Sequence, residues 1–161
     1  MKTQETTMKA FVLQPQDGRT GRPLDVLGVP TLVKIAGSDV EGRAAVFHLT
    51  VPGRGGPPLH RHHREEEWFY VLDGEITIQI DGERTVAGPG TMAFAARGTV
   101  HAFQNFQKTA ARMLVGVAPA GLDNFFMEVA NANHGLATPD FARTEQIMNS
   151  YEIDLVGPPL S

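Results

Sequence analysis

Residues 57–74 read PPLHRHHREEEWFYVLDG, and this stretch decides the fold. Two short extended runs are separated by a charged turn, with His60 and His62 in the first run and Glu67 at the start of the second. Successive side chains of a β-strand point to opposite faces, so His60 and His62 share one face. The same alternation puts Glu67 and Phe69 together on a face of the next strand. If both faces point inward, a carboxylate meets two imidazoles.

The segments around this stretch alternate between apolar runs and turn formers. Short runs rich in Val, Ile, Thr and Phe recur between Gly, Pro or Asp residues, a pattern typical of an all-β sandwich or jelly-roll barrel. Asp73-Gly74 and Asp81-Gly82 each predict a hairpin, because Asp-Gly favours the positive φ angles of tight primed turns. The predicted strands are Thr31–Ile35, Ala44–Val51, Glu67–Leu72, Glu75–Ile80, Glu83–Val86, Thr91–Ala95, Val100–Asn105 and Ala111–Val117.

The two ends of the chain have a different character, and we expect one domain overall. Residues 1–30 contain scattered Pro and Gly and predict an arm that packs on the barrel, with one strand over 10–13. Residues 31–118 form the predicted barrel. Residues 119–161 predict a C-terminal helical extension and a final strand over 151–155, which Gly157, Pro158 and Pro159 terminate.

The predicted extension contains two helices. The first has an apolar face formed by Leu122, Phe125, Phe126 and Val129, which lie at helical spacing. The second is expected to begin with Thr138 as its N-cap and Pro139 at its first position.

Composition excludes several classes of function. The chain has 161 residues and a formal net charge of −4, which gives no electrostatic reason to bind nucleic acid. It has no cysteine, so any metal must be held by nitrogen and oxygen ligands. We see neither a secretory signal nor a transmembrane run, and we expect a cytoplasmic protein that does not bind membranes.

The stretch at 57–74 contains His-x-His-x4-Glu-x6-Gly, with His60, His62, Glu67 and Gly74 at the fixed places. A second motif downstream runs from Gly90 through Ala96, Gly98 and His101 to Asn105. Together they resemble the two motifs of the cupin superfamily, whose fold is a jelly-roll β-barrel. The resemblance implies that His60, His62, Glu67 and His101 bind one divalent metal.

Three departures from the cupin pattern lie in loops. The leading glycine of the first motif is one place off, since Gly53 is too early and Gly55 too late. The second motif has Thr91 in place of a common Asp and Ala96 in place of Pro. None of these changes removes a ligand.

Imidazole and carboxylate ligands suit iron, manganese, nickel, copper, cobalt or zinc, and ligand type does not choose among them. Four protein ligands in octahedral geometry would leave two positions for water, dioxygen or a chelating substrate. Glu67 is the candidate catalytic residue, as a ligand, as a base for a substrate hydroxyl proton, or as both.

Other residues have two readings at the level of sequence. Side chains inside the predicted barrel form its core, and those near its mouth would also line the pocket. His48 is expected either on the wall or surface of the barrel or, alternatively, in the pocket lining. A solvated rim is the favoured interpretation of the mixed charges of Arg61, His63, Arg64, Glu65 and Glu66, with Arg64 as an alternative contact for a substrate carboxylate. The candidates for pocket lining are Phe69, Val71, Met92, Phe94, Phe103 and His48.

The resemblance extends to the quercetinase-like single-domain cupins, including the tail at 154–160, and implies a dioxygenase acting on a small enolic or phenolic, flavonol-like substrate. Cupins with the same ligands also include isomerases, cyclases and decarboxylases, and non-enzymatic binding proteins are a further class. Superoxide dismutation or oxalate oxidation, as in the germin branch, would fit the ligands but usually goes with secretion, for which we see no signal. Thiol oxygenation is also disfavoured, because the family members that perform it usually lack the glutamate. Cupins commonly pair through sheet edges, so we expect a homodimer.

Overall fold

The computed structural model describes residues 9–161, which contain eleven β-strands and two α-helices. The eight strands predicted between residues 31 and 117 are all present, within two residues of the expected bounds. Three more strands complete the fold: β1 near the N-terminus, β4, which carries His60 and His62, and β11, which corresponds to the final strand predicted over 151–155. The elements are β1 Leu24–Val26, β2 Val29–Ile35, β3 Ala45–Val51, β4 Pro58–His62, β5 Glu66–Asp73, β6 Ile76–Ile80, β7 Glu83–Ala87, β8 Met92–Ala95, β9 His101–Gln104, β10 Ala111–Ala118, α1 Leu122–Asn133, α2 Phe141–Ser150 and β11 Ile153–Pro159.

The strands form two antiparallel sheets. One has six strands in the order β1-β2-β3-β10-β5-β8, and the other has five in the order β11-β4-β9-β6-β7. Neighbours in both sheets are mostly distant in sequence, as in a jelly roll, and the all-β fold class is confirmed. The order also puts β4 and β9 beside each other, with His60 directly opposite His101.

Alternation along the strands builds the core between the sheets. In β3, residues Ala45, Phe47, Leu49 and Val51 are buried, whereas the residues between them are half-buried. In β5 the buried set is odd-numbered, from Glu67 to Val71, as the sequence predicted. The inward faces of the two sheets therefore meet in one apolar interior, with the polar cluster described below at one end of these strands.

One predicted hairpin is confirmed and the other is wrong. Strands β6 and β7 pair through Asp81-Gly82, with both turn residues at positive φ. Strands β5 and β6 do not pair, because they belong to different sheets. Gly74 instead lies where the chain crosses from one sheet to the other. A Cβ added at Gly74 would lie 2.8 Å from the Cβ of Ala111. A side chain at this close approach would force the backbones apart.

The helices close one side of the sandwich. Phe126 of α1 contacts Phe47 of β3, with ring centroids 4.9 Å apart, and Phe125 stacks edge-on against Tyr151. The predicted start of α2 is wrong by two residues. Asp140 is the N-cap, and its side chain accepts a hydrogen bond from the Arg143 amide at 2.9 Å.

The N-terminal arm contacts the six-stranded sheet, although residues 1–8 lie outside the described part. The predicted strand over 10–13 does not form, and the arm instead contributes β1, which pairs with β2. Lys34 donates to the carbonyl oxygens of Gln14, Pro15 and Asp17 at 2.6–3.3 Å. At the other end, β11 continues through Pro159, two residues beyond the expected break at Gly157.

Candidate metal centre

Two neighbouring strands of the five-stranded sheet supply three imidazoles. His60 and His62 lie on β4, and His101 begins β9 directly opposite His60. The ring centroids are 4.5 Å apart for His60 and His101, 5.1 Å for His60 and His62, and 5.5 Å for His62 and His101. The alternation of β4 thus brings all three rings together on the inward face.

Glu67 reaches the same point from the opposite sheet. Its Oε2 lies 2.8 Å from Nε2 of His101 and 3.2 Å from Nε2 of His62. Glu67, His62 and His101 are buried, whereas His60 is half-buried. One ligand atom from each of the four residues lies within 4.8 Å of the other three.

The donor set fits a divalent transition metal. Three imidazole nitrogens and a carboxylate oxygen converge, and together they suit the metals from manganese to zinc. Both ring nitrogens of His62 are buried and make no well-aligned hydrogen bond, although carboxylate oxygens lie 3.2 and 3.4 Å away. Buried polar atoms normally have partners, so the orphaned Nε2 that faces Glu67 fits a metal ion as its partner.

The electrostatics of the cluster set its protonation without a metal. Burial lowers the pKa of His60 to about 3, with His101 and His62 contributing in the same direction. Burial alone would also lower the pKa of His62, but Glu67 and Glu65 outweigh it and raise the value to about 9. Burial would raise the pKa of Glu67, but His62 and His101 hold it well below its usual range. His62 and Glu67 therefore form an ion pair, and His60 is neutral.

Three of the predicted pocket residues lie inside the sandwich. Phe69 is buried, with its ring centroid 5.8 Å from His101 and 6.0 Å from Phe103. Phe103 and Val71 are buried as well. Phe69 and Phe103 provide an aromatic wall beside His101, and Val71 belongs to the central core.

The other three predicted pocket residues alternate with buried or half-buried residues along their strands, and Met92 also borders a cavity with Ile78, Ile80 and Ala93. Met92 pairs with Tyr70 and Phe94 with Trp68, so both share the outer face and are 60% and 57% exposed. His48 lies between the buried residues Phe47 and Leu49 and also points outward. Alternation determines which residues share a face, but it does not determine which face is inward at an edge strand.

Glu65 is a residue of this region that the sequence argument missed. It was expected on a solvated rim, but it is 2% exposed and its Oε2 lies 3.4 Å from Nδ1 of His62. A signal was present, because Glu65 and Glu67 are two residues apart and therefore share a face.

Asn105 of the second motif holds a turn. It is fully buried, and its amide nitrogen donates to the carbonyl oxygens of Val51 and Thr109 at 3.1 and 2.8 Å. Its Oδ1 accepts from the Gln107 amide at 2.9 Å.

Comparison with known proteins supports the class that the fold and the cluster define. The family model described as "Cupin domain" matches residues 47–117. A beta-D-galactosidase of Mycobacterium tuberculosis is 36% identical over 70 residues, which cover 44% of this chain and 60% of that protein. The chain therefore aligns with less than two thirds of this relative's length.

Solved structures show the same fold. The polyketide cyclase RemF from Streptomyces resistomycificus aligns with a TM-score of 0.58 and 24% identity, covering 68% of this chain and 80% of that one. A predicted oxalate decarboxylase from Thermotoga maritima aligns with a TM-score of 0.54 and 22% identity, covering 56% and 80%. The family-model match and these shared folds support the cupin superfamily as the family of this chain. Within residues 9–161, neither helix is long and apolar enough to span a membrane.

Proposed function

We propose that the protein is a divalent-metal-dependent enzyme that acts on a small molecule at His60, His62, Glu67 and His101. The observation that carries this proposal is the convergence of four ligand atoms within 4.8 Å from strands of both sheets. A bound transition metal would supply Lewis-acid polarisation of a chelating substrate and, with a redox-active ion, a route for electrons to dioxygen. A substrate would approach from the side of His60, which is the half-buried member of the cluster.

Glu67 is the proposed catalytic residue. Its carboxylate is ionised, which is the form that accepts a proton from a substrate hydroxyl. Phe69 and Phe103 lie beside His101 and exclude water from this side of the cluster. Their rings also suit a flat, unsaturated substrate, since aromatic groups favour edge-to-face and offset contacts.

The reaction we favour is dioxygenation of an enolic or phenolic substrate of the flavonol type. It is supported by the ligand set, the aromatic wall and the resemblance of residues 154–160 to quercetinase-like cupins. The alternative is a non-redox isomerase or cyclase, or a protein that binds a small molecule without turnover. The likeness to RemF is a likeness of fold alone. The galactosidase relative adds galactosides as a substrate class to assay.

The test combines metal analysis with activity. Purified protein, reconstituted separately with iron, manganese, nickel, copper, cobalt and zinc, is analysed by inductively coupled plasma mass spectrometry and for oxygen uptake with quercetin. Stoichiometric metal with quercetin-dependent uptake is expected, and Glu67→Gln should lose the uptake. Metal without uptake would overturn the oxygenase in favour of the alternatives, which a galactoside-hydrolysis assay separates further. No metal after reconstitution would overturn the site.

We also infer a homodimer. Strand β8 is a free edge of the six-stranded sheet, and Met92 and Phe94 on its outer face are the exposed apolar residues described above. Antiparallel pairing of two copies of this edge would cover both side chains and satisfy its free backbone groups. Light scattering should give twice the monomer mass, and Phe94→Glu should reduce it to one chain. A wild-type monomer would contradict the inference.

A further inference from the structure

The carboxylate of Glu65 is buried next to the cluster and has no assigned task. Glu65 precedes β5, is 2% exposed, and its Oε2 makes no hydrogen bond. Leaving a buried carboxylate oxygen unpartnered costs free energy, so such an atom in a folded protein needs an explanation. The nearest ring atom of the cluster is Nδ1 of His62, at 3.4 Å, and this nitrogen is also unpartnered.

The other two histidines show what is missing at His62. Nδ1 of His60 lies 2.8 Å from the carbonyl oxygen of Pro58, and Nδ1 of His101 lies 2.9 Å from that of Thr99. A carbonyl oxygen can only accept, so Nδ1 donates in both rings and Nε2 is the nitrogen that faces the cluster. In both cases the acceptor is the backbone two residues earlier. At His62 the atom near Nδ1 is a side-chain oxygen of Glu65.

The surroundings leave space for this carboxylate. Gly121 lies beside Oε1 of Glu65, and a Cβ added at Gly121 would be 3.4 Å from that oxygen. Gly121 has φ +149° and is the N-cap of α1. The positive end of the helix dipole at this point favours a negative charge. The start of α1 therefore packs against the carboxylate of Glu65 without crowding it.

We propose that Glu65 is a positioning residue for His62. Its Oε2 accepts the Nδ1 proton and holds the ring so that Nε2 faces Glu67 and the other ligand atoms. A small rotation of either side chain turns the 3.4 Å contact into a hydrogen bond between two otherwise unpartnered buried atoms. Outer carboxylates of this kind fix the tautomer and orientation of ligand histidines. The inference rests on the proposed metal-dependent function.

The experiment measures cobalt(II) binding by the d–d absorption spectrum and by the dissociation rate into a chelator, in the full-length protein. Four proteins are compared: wild type, Glu65→Ala, Glu65→Gln and Glu66→Gln. Glu66 is the matched control, because it is the adjacent glutamate but pairs with Arg97 at the surface. Thermal denaturation of each metal-free variant shows whether it is folded.

We expect Glu65→Ala to lower cobalt affinity about 10- to 100-fold and to speed dissociation. Glu65→Gln keeps an acceptor for Nδ1–H without the charge, so it should stay within a few-fold of wild type, as should Glu66→Gln. Wild-type affinity in Glu65→Ala would overturn the proposal, as would equal losses in Glu65→Ala and Glu65→Gln, which would assign the effect to charge. If wild type itself binds no cobalt, the metal-dependent function fails and the positioning role with it.

Discussion

His62 joins the two carboxylates of the cluster, because its two ring nitrogens face different partners. Nε2 lies 3.2 Å from Glu67 and Nδ1 lies 3.4 Å from Glu65. Its side chain is not part of the apolar core, which is built from the aliphatic and aromatic residues between the sheets. Loss of this ring should therefore affect metal binding far more than folding.

His62→Ala should abolish stoichiometric metal binding while leaving a folded barrel. Metal content after reconstitution and the far-UV circular dichroism spectrum measure the two effects. His63→Ala is the control, since His63 is exposed and pairs with Asp154. A His62→Ala protein that retained full metal occupancy would refute the assigned ligand.

His48 predicts a pH dependence of stability that is separate from the cluster. Burial lowers its pKa from the ordinary value of 6.5, and the nearby Lys34 and Arg112 act in the same direction. The unfolded chain therefore takes up this proton more readily than the folded one, so stability falls as the pH drops below about 6.5. His48→Gln should show a smaller loss of stability between pH 7.5 and about 5, measured by urea unfolding. An unchanged pH profile in this variant would contradict the assignment.

At the scale of the elements, β5 determines how the site is built. It lies between β10 and β8, so both of its edges are paired and Glu67 is held rigidly in the interior. The contact with β10 is close at Gly116, where the indole of Trp68 lies directly over the glycine. Trp68 thus packs on the outer face of the sheet while Glu67 points inward.

Gly116→Ala should displace the indole, because the added methyl group would overlap it. The expected cost is about 1–3 kcal/mol of unfolding free energy. Trp68 is the single tryptophan of the chain, so its fluorescence should shift to the red as it becomes more exposed. In a Trp68→Phe background the same glycine substitution should cost less. Equal costs in the two backgrounds would show that the indole is not the cause.

Several elements were predictable from local sequence, and others depended on the tertiary fold. The strands and the turn at 81–82 follow from alternation and Asp-Gly chemistry, which are local properties. The failed hairpin at 73–74 has the same local signal, but β5 already has β10 and β8 as partners and leaves no edge for β6. The choice of sheet is a non-local property that turn residues do not encode.

At the scale of the whole molecule, barrel and C-terminal extension share one core. Phe125, Ile147 and Ile153 are buried in the same cluster as Phe47 and Phe69 of the strands. The four cluster residues were predictable, because spacing in two motifs defines them. The burial of Glu65 was not predicted, since it depends on the approach of α1 and its glycine N-cap at 121.

A shared core predicts a single cooperative unfolding transition for the metal-free chain. Trp68 fluorescence reports on the six-stranded sheet, and far-UV circular dichroism includes both helices. The two signals should change at the same urea concentration. An earlier transition in circular dichroism would instead indicate that the C-terminal extension unfolds independently.

The most direct test of the metal centre is anomalous diffraction from crystals of the cobalt-loaded protein, collected on both sides of the cobalt absorption edge. We expect one anomalous peak per chain, bound by nitrogen atoms of His60, His62 and His101 and by a carboxylate oxygen of Glu67. A peak at another site, or crystals of cobalt-treated protein without a peak at this cluster, would contradict the account.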